Sequence, residues 1–139
     1  MAQVRFFTED IKFRLPHPIK TGRWVKAAIK AEKKNPGNLN FIFCSDEYLR
    51  EINIQYLRHK TYTDIVTFDS SEEKDMIEGD IFISIHRIEE NALKFDRPFD
   101  EELHRVIIHG VLHLIGYSDK TPQKQNTMRR KEDSYLSLR

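Results

Sequence analysis

Between Glu102 and Gly116 nearly every position is apolar: Leu103, Val106, Ile107, Ile108, Val111, Leu112, Leu114 and Ile115. A helix apolar on almost all sides belongs in a core, so the remaining elements must be arranged to enclose it. One stripe breaks the pattern. Arg105, His109 and His113 recur every four residues, which stacks them on a single helix face. Two imidazoles one turn apart can converge on one metal ion. Gly116 is the residue type that most readily ends a helix in the left-handed conformation. The chain can turn there and bring Asp119 back toward the two histidines. The result is two nitrogen donors and one carboxylate. A zinc ion with three protein ligands keeps its fourth position free, which is the catalytic arrangement.

The spacing of His109, His113, Gly116 and Asp119 is that of the long zinc-protease motif H-E-x-x-H-x-x-G-x-x-H, with two changes. Gly110 stands where that motif has its glutamate base, and Asp119 stands where it has its third histidine. The missing glutamate argues against a peptidase. Two readings compete with metal binding. Histidines on an apolar helix also occur as hydrogen-bonded core residues, and Asp119 can belong to the start of the following helix.

The run His109-Gly-Val-Leu-His113-Leu-Ile-Gly116-Tyr-Ser-Asp119 resembles the H-G-x-L-H-L-x-G-Y-D-H signature of the YbeY family of bacterial rRNA-maturation endoribonucleases. His109, Gly110, Leu112, His113, Leu114, Gly116 and Tyr117 match it. Ser118 replaces the family's Asp, and Asp119 its last His, which leaves open whether Asp119 binds the metal directly. Leu57-Arg58 followed by Thr63-Asp64-Ile65-Val66 and Phe68 is similar to a second family signature, and Gly79-Asp80-Ile81 to a third. The resemblance spans roughly residues 39–119. It implies a zinc-dependent, single-strand-specific endoribonuclease of rRNA maturation, acting at the 16S rRNA 3′ end and in ribosome quality control. One zinc ion, an rRNA precursor and the small ribosomal subunit are the implied cofactor and partners; DNA is not, and a monomer is expected. The resemblance also implies a catalytic or RNA-positioning role for Arg58, whose guanidinium can hold a phosphate through two hydrogen bonds. Arg58 and His113 are therefore the candidate catalytic residues, and His109, His113 and Asp119 the candidate metal ligands. Two alternatives stay open: a metallopeptidase-like metal hydrolase, and a non-catalytic ribosome-assembly factor whose metal is structural. A fourth protein donor closing the site, from His104, His86 or Cys44, would mark the latter. The identity of the general base is also open, since no glutamate sits beside His109.

The net charge of +1 over 139 residues predicts no partner. Its distribution is more informative. Arg23, Lys26, Lys30, Lys33 and Lys34 make one basic run, interrupted only by Glu32, while Asp69 to Asp80 holds six acids and one lysine. Such asymmetry suits one polyanion-facing surface and one solvated surface, or two ordinary solvated faces. Cys44 is the only cysteine, so no intrachain disulfide can form. It is expected to be an inert core residue. With no signal-peptide layout and no membrane-length apolar run, a cytoplasmic protein is expected, folded as one domain over 1–139.

In chain order, Val4 to Phe7 is a strand candidate, and Pro16 and Pro18 exclude regular structure around them. Thr21 is expected to cap a helix running to about Lys34, and Asn35-Pro-Gly-Asn38 to form a turn. Leu39 to Cys44 is an interior strand. Ser45 or Asp46 caps a helix with Tyr48, Leu49, Ile52, Tyr56 and Leu57 inward. Ile65 to Phe68 and Gly79 to Ser84 are strands separated by the acidic loop. Ser84 caps a helix with Ile85, Ile88, Ala92 and Leu93 inward. After the helix that carries the two histidines, Thr121-Pro122 starts a last, polar helix with Met128, Tyr135 and Leu138 available for docking. The order β-α-β-α-β-β-α-α-α predicts an α+β fold: one small mixed sheet of about four strands packed with about five helices, with the metal cleft at the two-histidine helix.

Overall fold

A computed structural model describes residues 2–57 and 63–139. The element order is β1 (Val4–Thr8), α1 (Pro18–Ala31), β2 (Asn35–Cys44), α2 (Asp46–Leu57), β3 (Ile65–Asp69), β4 (Met76–Ser84), α3 (Ile85–Lys94), α4 (Phe99–Ile115) and α5 (Pro122–Leu136). The four strands form one mixed sheet in the order β1-β2-β4-β3. β2 pairs in parallel with both β1 and β4, and β3 runs antiparallel to β4. The α+β architecture expected from the sequence is the one observed.

Strand alternation divides the sheet into two apolar faces. Phe6, Phe41 and Ile81 stand in one row across β1, β2 and β4. Together with Leu39, Phe43 and Ile83 they meet α1, α3 and α4 in the larger core. The opposite face carries Cys44, Val66, Phe68 and Phe82 and is covered by Leu49, Tyr48 and Ile52 of α2. α4 lies inside the larger core: Leu103, Val106, Ile107, Ile108, Val111 and Leu112 are all buried. Gly110 faces the sheet, where a Cβ would come within 2.7 Å of Ile65 Cδ1 and 3.0 Å of Ile81 Cγ2. The missing side chain is what lets α4 approach the strands so closely.

Local signals set most element ends. Ser45 Oγ accepts from the Tyr48 N–H, Ser84 Oγ from the Arg87 N–H and Thr121 Oγ1 from the Lys124 N–H, each capping a helix. Five expectations need correction. α1 begins at Pro18, with proline at its first position, so Thr21 lies inside it and returns its hydroxyl to the His17 carbonyl at 3.0 Å. Asn35-Pro-Gly-Asn38 is not a turn but the start of β2, whose register with β4 shifts between Pro36 and Leu39. Tyr56 and Leu93, expected inward, and Leu138, expected to dock, are exposed. Tyr56 and Leu93 sit near the ends of α2 and α3, and Leu138 lies just past α5, where the periodicity continues but the neighbouring elements do not. Separately, one residue of each charge run pairs with the other: Lys34 with Asp75 at 2.9 Å.

Cys44 is buried, and burial, with Asp10, Asp46 and Glu9 adding to it, pushes its thiol up to about 12. It is therefore a packing residue, inert as a nucleophile. Among the described residues no helix is long and apolar enough to cross a membrane.

Gly79 gives a test of the register. Its φ is +159°, and a Cβ built there would run into the backbone carbonyl of Phe68 on β3. Backbone cannot swing aside as a side chain can. Gly79→Ala is expected to lower stability by about 3 kcal/mol, near the upper end of ordinary overpacking costs, measured as a shifted urea midpoint with an unchanged slope.

Candidate metal centre

The site is built at the C-terminal end of α4. Gly116, at φ +124°, ends the helix. The Tyr117 N–H donates to the Leu112 carbonyl at 3.0 Å and the Gly116 N–H to the His113 carbonyl at 3.1 Å. This paired arrangement satisfies carbonyls that the helix leaves open and reverses the chain. Tyr117 packs against the core. Asp119 follows in the turn before α5, its carbonyl accepting from Gln125 Nε2 at 3.0 Å. Thr121, not Asp119, caps α5. The Asp119 carboxylate is thus free to face α4.

It does so. His109 Nε2 and His113 Nε2 lie 2.9 Å apart. Asp119 Oδ2 is 3.5 Å from the first and 3.6 Å from the second. These three atoms form a group that can hold a metal ion. In a tetrahedral site with zinc–ligand distances near 2.0–2.1 Å, ligand atoms stand about 3.3 Å apart. The observed triangle brackets that value.

The opposite ring nitrogens explain why both Nε2 atoms point the same way. His109 Nδ1 donates to Glu132 Oε2 at 2.6 Å, and His113 Nδ1 donates to the Tyr117 carbonyl at 3.1 Å. A carboxylate and a carbonyl can only accept, so each Nδ1 carries the hydrogen. In neutral imidazole that leaves Nε2 with a lone pair, the form a metal takes. Two such lone pairs at 2.9 Å repel unless a cation stands between them, either a metal ion or a proton carried by one ring. Burial pushes His109 down, but the hydrogen bond and charge of Glu132, with Asp64 and Asp119, outweigh it and the net direction is up. For His113, burial and then the neighbouring His109 charge lower it. The pair is electrostatically built to share one positive charge.

Glu132, on α5, had no place among the residues singled out by sequence. Met128, Glu132 and Tyr135 share the buried face of that helix. A glutamate in the middle of an apolar stripe was the available signal. Its second oxygen, Oε1, accepts from Arg105 Nη1 at 3.1 Å. Arg105 therefore belongs to the site's support, although it shares the histidine stripe.

The other candidates separate clearly. Arg58 lies outside the described residues. His104 Nδ1 bonds the Asp100 carbonyl at 2.7 Å and its ring packs against Trp24. His86 accepts from the Asp46 N–H at the start of α2, and Cys44 is in the core on the far face. None of the three joins the cluster, and among the described residues no fourth donor closes it. A cleft of about 300 Å³, bordered by Asp64, His109, Asp119, Gln125 and Arg129, opens beside it.

Fold and triad define a class: a small α+β protein with a His-His-Asp group able to hold a metal ion at the end of a two-histidine helix. The model of the family described as "Endoribonuclease YbeY" matches residues 8–138. Two proteins described as "Endoribonuclease YbeY" are close relatives. One from Cytophaga hutchinsonii is 51% identical over 134 residues, covering 96% of this chain and 94% of its own. One from Amoebophilus asiaticus is 47% identical over 135 residues, covering 97% and 92%. The solution structure of TM1509 from Thermotoga maritima superposes with a TM-score of 0.66 at 28% identity, over 96% of this chain and 87% of that one. The chain belongs to the YbeY family.

Glu132→Gln tests the support of His109. The amide can present its nitrogen to Nδ1, which disturbs the tautomer. Metal affinity of the folded protein is expected to fall about 10–100-fold, the usual cost of losing a partner that orients a metal-binding histidine, measured by competition with a chromophoric chelator.

Proposed function

We propose that this chain is a zinc-dependent, single-strand-specific endoribonuclease acting in 16S rRNA 3′-end maturation and ribosome quality control. It would work as a one-domain monomer in the cytoplasm, on rRNA precursor and the small ribosomal subunit. The observation that carries this reading is the convergence of His109 Nε2, His113 Nε2 and Asp119 Oδ2 in a member of this family. Two nitrogens and one oxygen at tetrahedral spacing suit zinc. When bound, the ion supplies Lewis-acid polarisation of a phosphoryl oxygen and makes water acidic enough to attack near neutral pH.

The chain's own residues do the rest. His109, His113 and Asp119 would hold the ion beside the cleft. Glu132 and the Tyr117 carbonyl hold both rings in the metal-binding tautomer. Arg58, in this reading, binds the scissile phosphate and offsets the charge that builds as phosphorus is attacked. Asp119 in place of a third imidazole would bring one negative charge to the ion, which would make it a weaker acid than a three-histidine site.

The rival readings lose support for specific reasons. A peptidase of the two-histidine type needs a carboxylate at position 110. That position faces Ile65 and Ile81 of the sheet, so no base can stand there. A structural metal needs a fourth donor, and among the described residues none joins the group of three: the nearby Glu132 carboxylate is bound to His109 Nδ1 and Arg105 instead.

Purified protein is expected to cleave single-stranded RNA and to lose the activity to a chelator, with zinc restoring it. His113→Ala is expected to lose metal and cleavage together. Arg58→Ala is expected to keep its metal and lose roughly 10²–10³-fold in rate, the scale set by removal of one charge-stabilising donor. Full RNA cleavage by metal-free His113→Ala contradicts the mechanism.

A further inference from the structure

Glu32 is the lone acid in the basic run of the sequence and lies outside the family signatures. In the structure its carboxylate sits at the end of α1 with a side chain only 8% exposed. It accepts from the Tyr117 hydroxyl, the Tyr135 hydroxyl and Lys131 Nζ. Burial pushes Glu32 up, but these three donors outweigh it and the net direction is down. An ionised carboxylate with three donors is a strong junction. It ties together α1, the turn after α4, and α5.

Those last two elements are the ones that orient the histidines. Tyr117 holds Glu32 with its hydroxyl and accepts from His113 Nδ1 with its carbonyl, at 3.1 Å. Lys131, paired with Glu32 at 3.0 Å, is the residue immediately before Glu132, which accepts from His109 Nδ1. α5 is fixed a second time to α1 by the Trp24 Nε1 bond to the Tyr135 carbonyl, at 2.8 Å. That second tie holds the C-terminal end of α5. The Glu32 tie lies next to Glu132 and Tyr117, so it sets where the two acceptors stand relative to α4.

We propose that Glu32 is a positioning residue for the metal centre, setting both acceptors that orient His109 and His113. The proposal rests on the reading of His109, His113 and Asp119 as metal ligands. It adds that their geometry is governed from a carboxylate on a different helix, through two separate paths. A site of this design is sensitive to errors well under 1 Å, because both rings must aim at one point.

Cobalt(II) is the probe, since its visible spectrum reports ligand geometry and its loss to a chelator can be timed. Glu32→Gln keeps the shape but brings an amide donor to face two hydroxyls and an ammonium. Tyr117→Phe and Tyr135→Phe each remove one hydroxyl and keep the ring, and are the milder variants to measure if Glu32→Gln does not fold. Glu32→Gln is expected to bind cobalt about 10-fold more weakly, on the scale of losing an orienting partner. It should also release cobalt faster and shift the visible bands. Tyr117→Phe is expected to move all three readouts in the same direction by less. A purely architectural Glu32 would lower the melting temperature of the metal-free protein and leave affinity, release and spectrum of the folded variants unchanged; that result overturns the proposal. If the wild-type protein binds neither cobalt nor zinc, the ligand reading itself falls, and the role of Glu32 falls with it.

Discussion

Two imidazole nitrogens 2.9 Å apart, each on a ring whose other nitrogen already donates, cannot rest together without positive charge between them. The rest of the structure makes sense as the means of holding that arrangement. The rings are on α4 because one helical turn brings them to the same side. α4 is held in place by the sheet, α1 and α3, which enclose it. Gly110 removes the atoms that would push α4 off the strands. Gly116 reverses the chain so that Tyr117 and Asp119 return to the same point. The sheet contributes little chemistry of its own. Its part is to fix the one helix whose end must stay in register with α5.

The fold was readable because its strongest elements obey local rules. Ser45, Ser84 and Thr121 cap where capping residues should. The order of elements follows from alternating periodicities, and the all-round apolar pattern of α4 demanded an interior position. The misreadings share a cause. Pro18 was taken as a breaker when a first-turn proline is compatible with a helix. Asn35-Pro-Gly-Asn38 has turn composition, but β2 runs on through it with an irregularity, and Asn38 N–H finds Glu78 Oε2 at 2.9 Å. Leu93 and Leu138 continue a helical stripe past the point where anything packs on it. In each case tertiary context decided what the local sequence left equally possible.

The site was half legible. His109, His113 and Asp119 are close in the chain, so spacing and one glycine turn were enough to bring them together on paper. Glu132 and Glu32 are distant from them in sequence and are brought in only by the docking of α5 and α1. Their roles depend on which helix packs where, and no spacing rule reports that. Glu132 did leave a trace, as a charge inside the buried stripe of α5. Glu32 left none, since a lone acid among lysines looks like an ordinary solvated residue.

The central claim is that one metal ion is held between His109, His113 and Asp119. X-ray absorption spectroscopy of the protein loaded with one equivalent of zinc tests it most directly. The account predicts four nitrogen or oxygen neighbours at about 2.0–2.2 Å, with outer-shell scattering from two imidazole rings. A spectrum with sulfur in the first shell, or without scattering from two imidazoles, would contradict it.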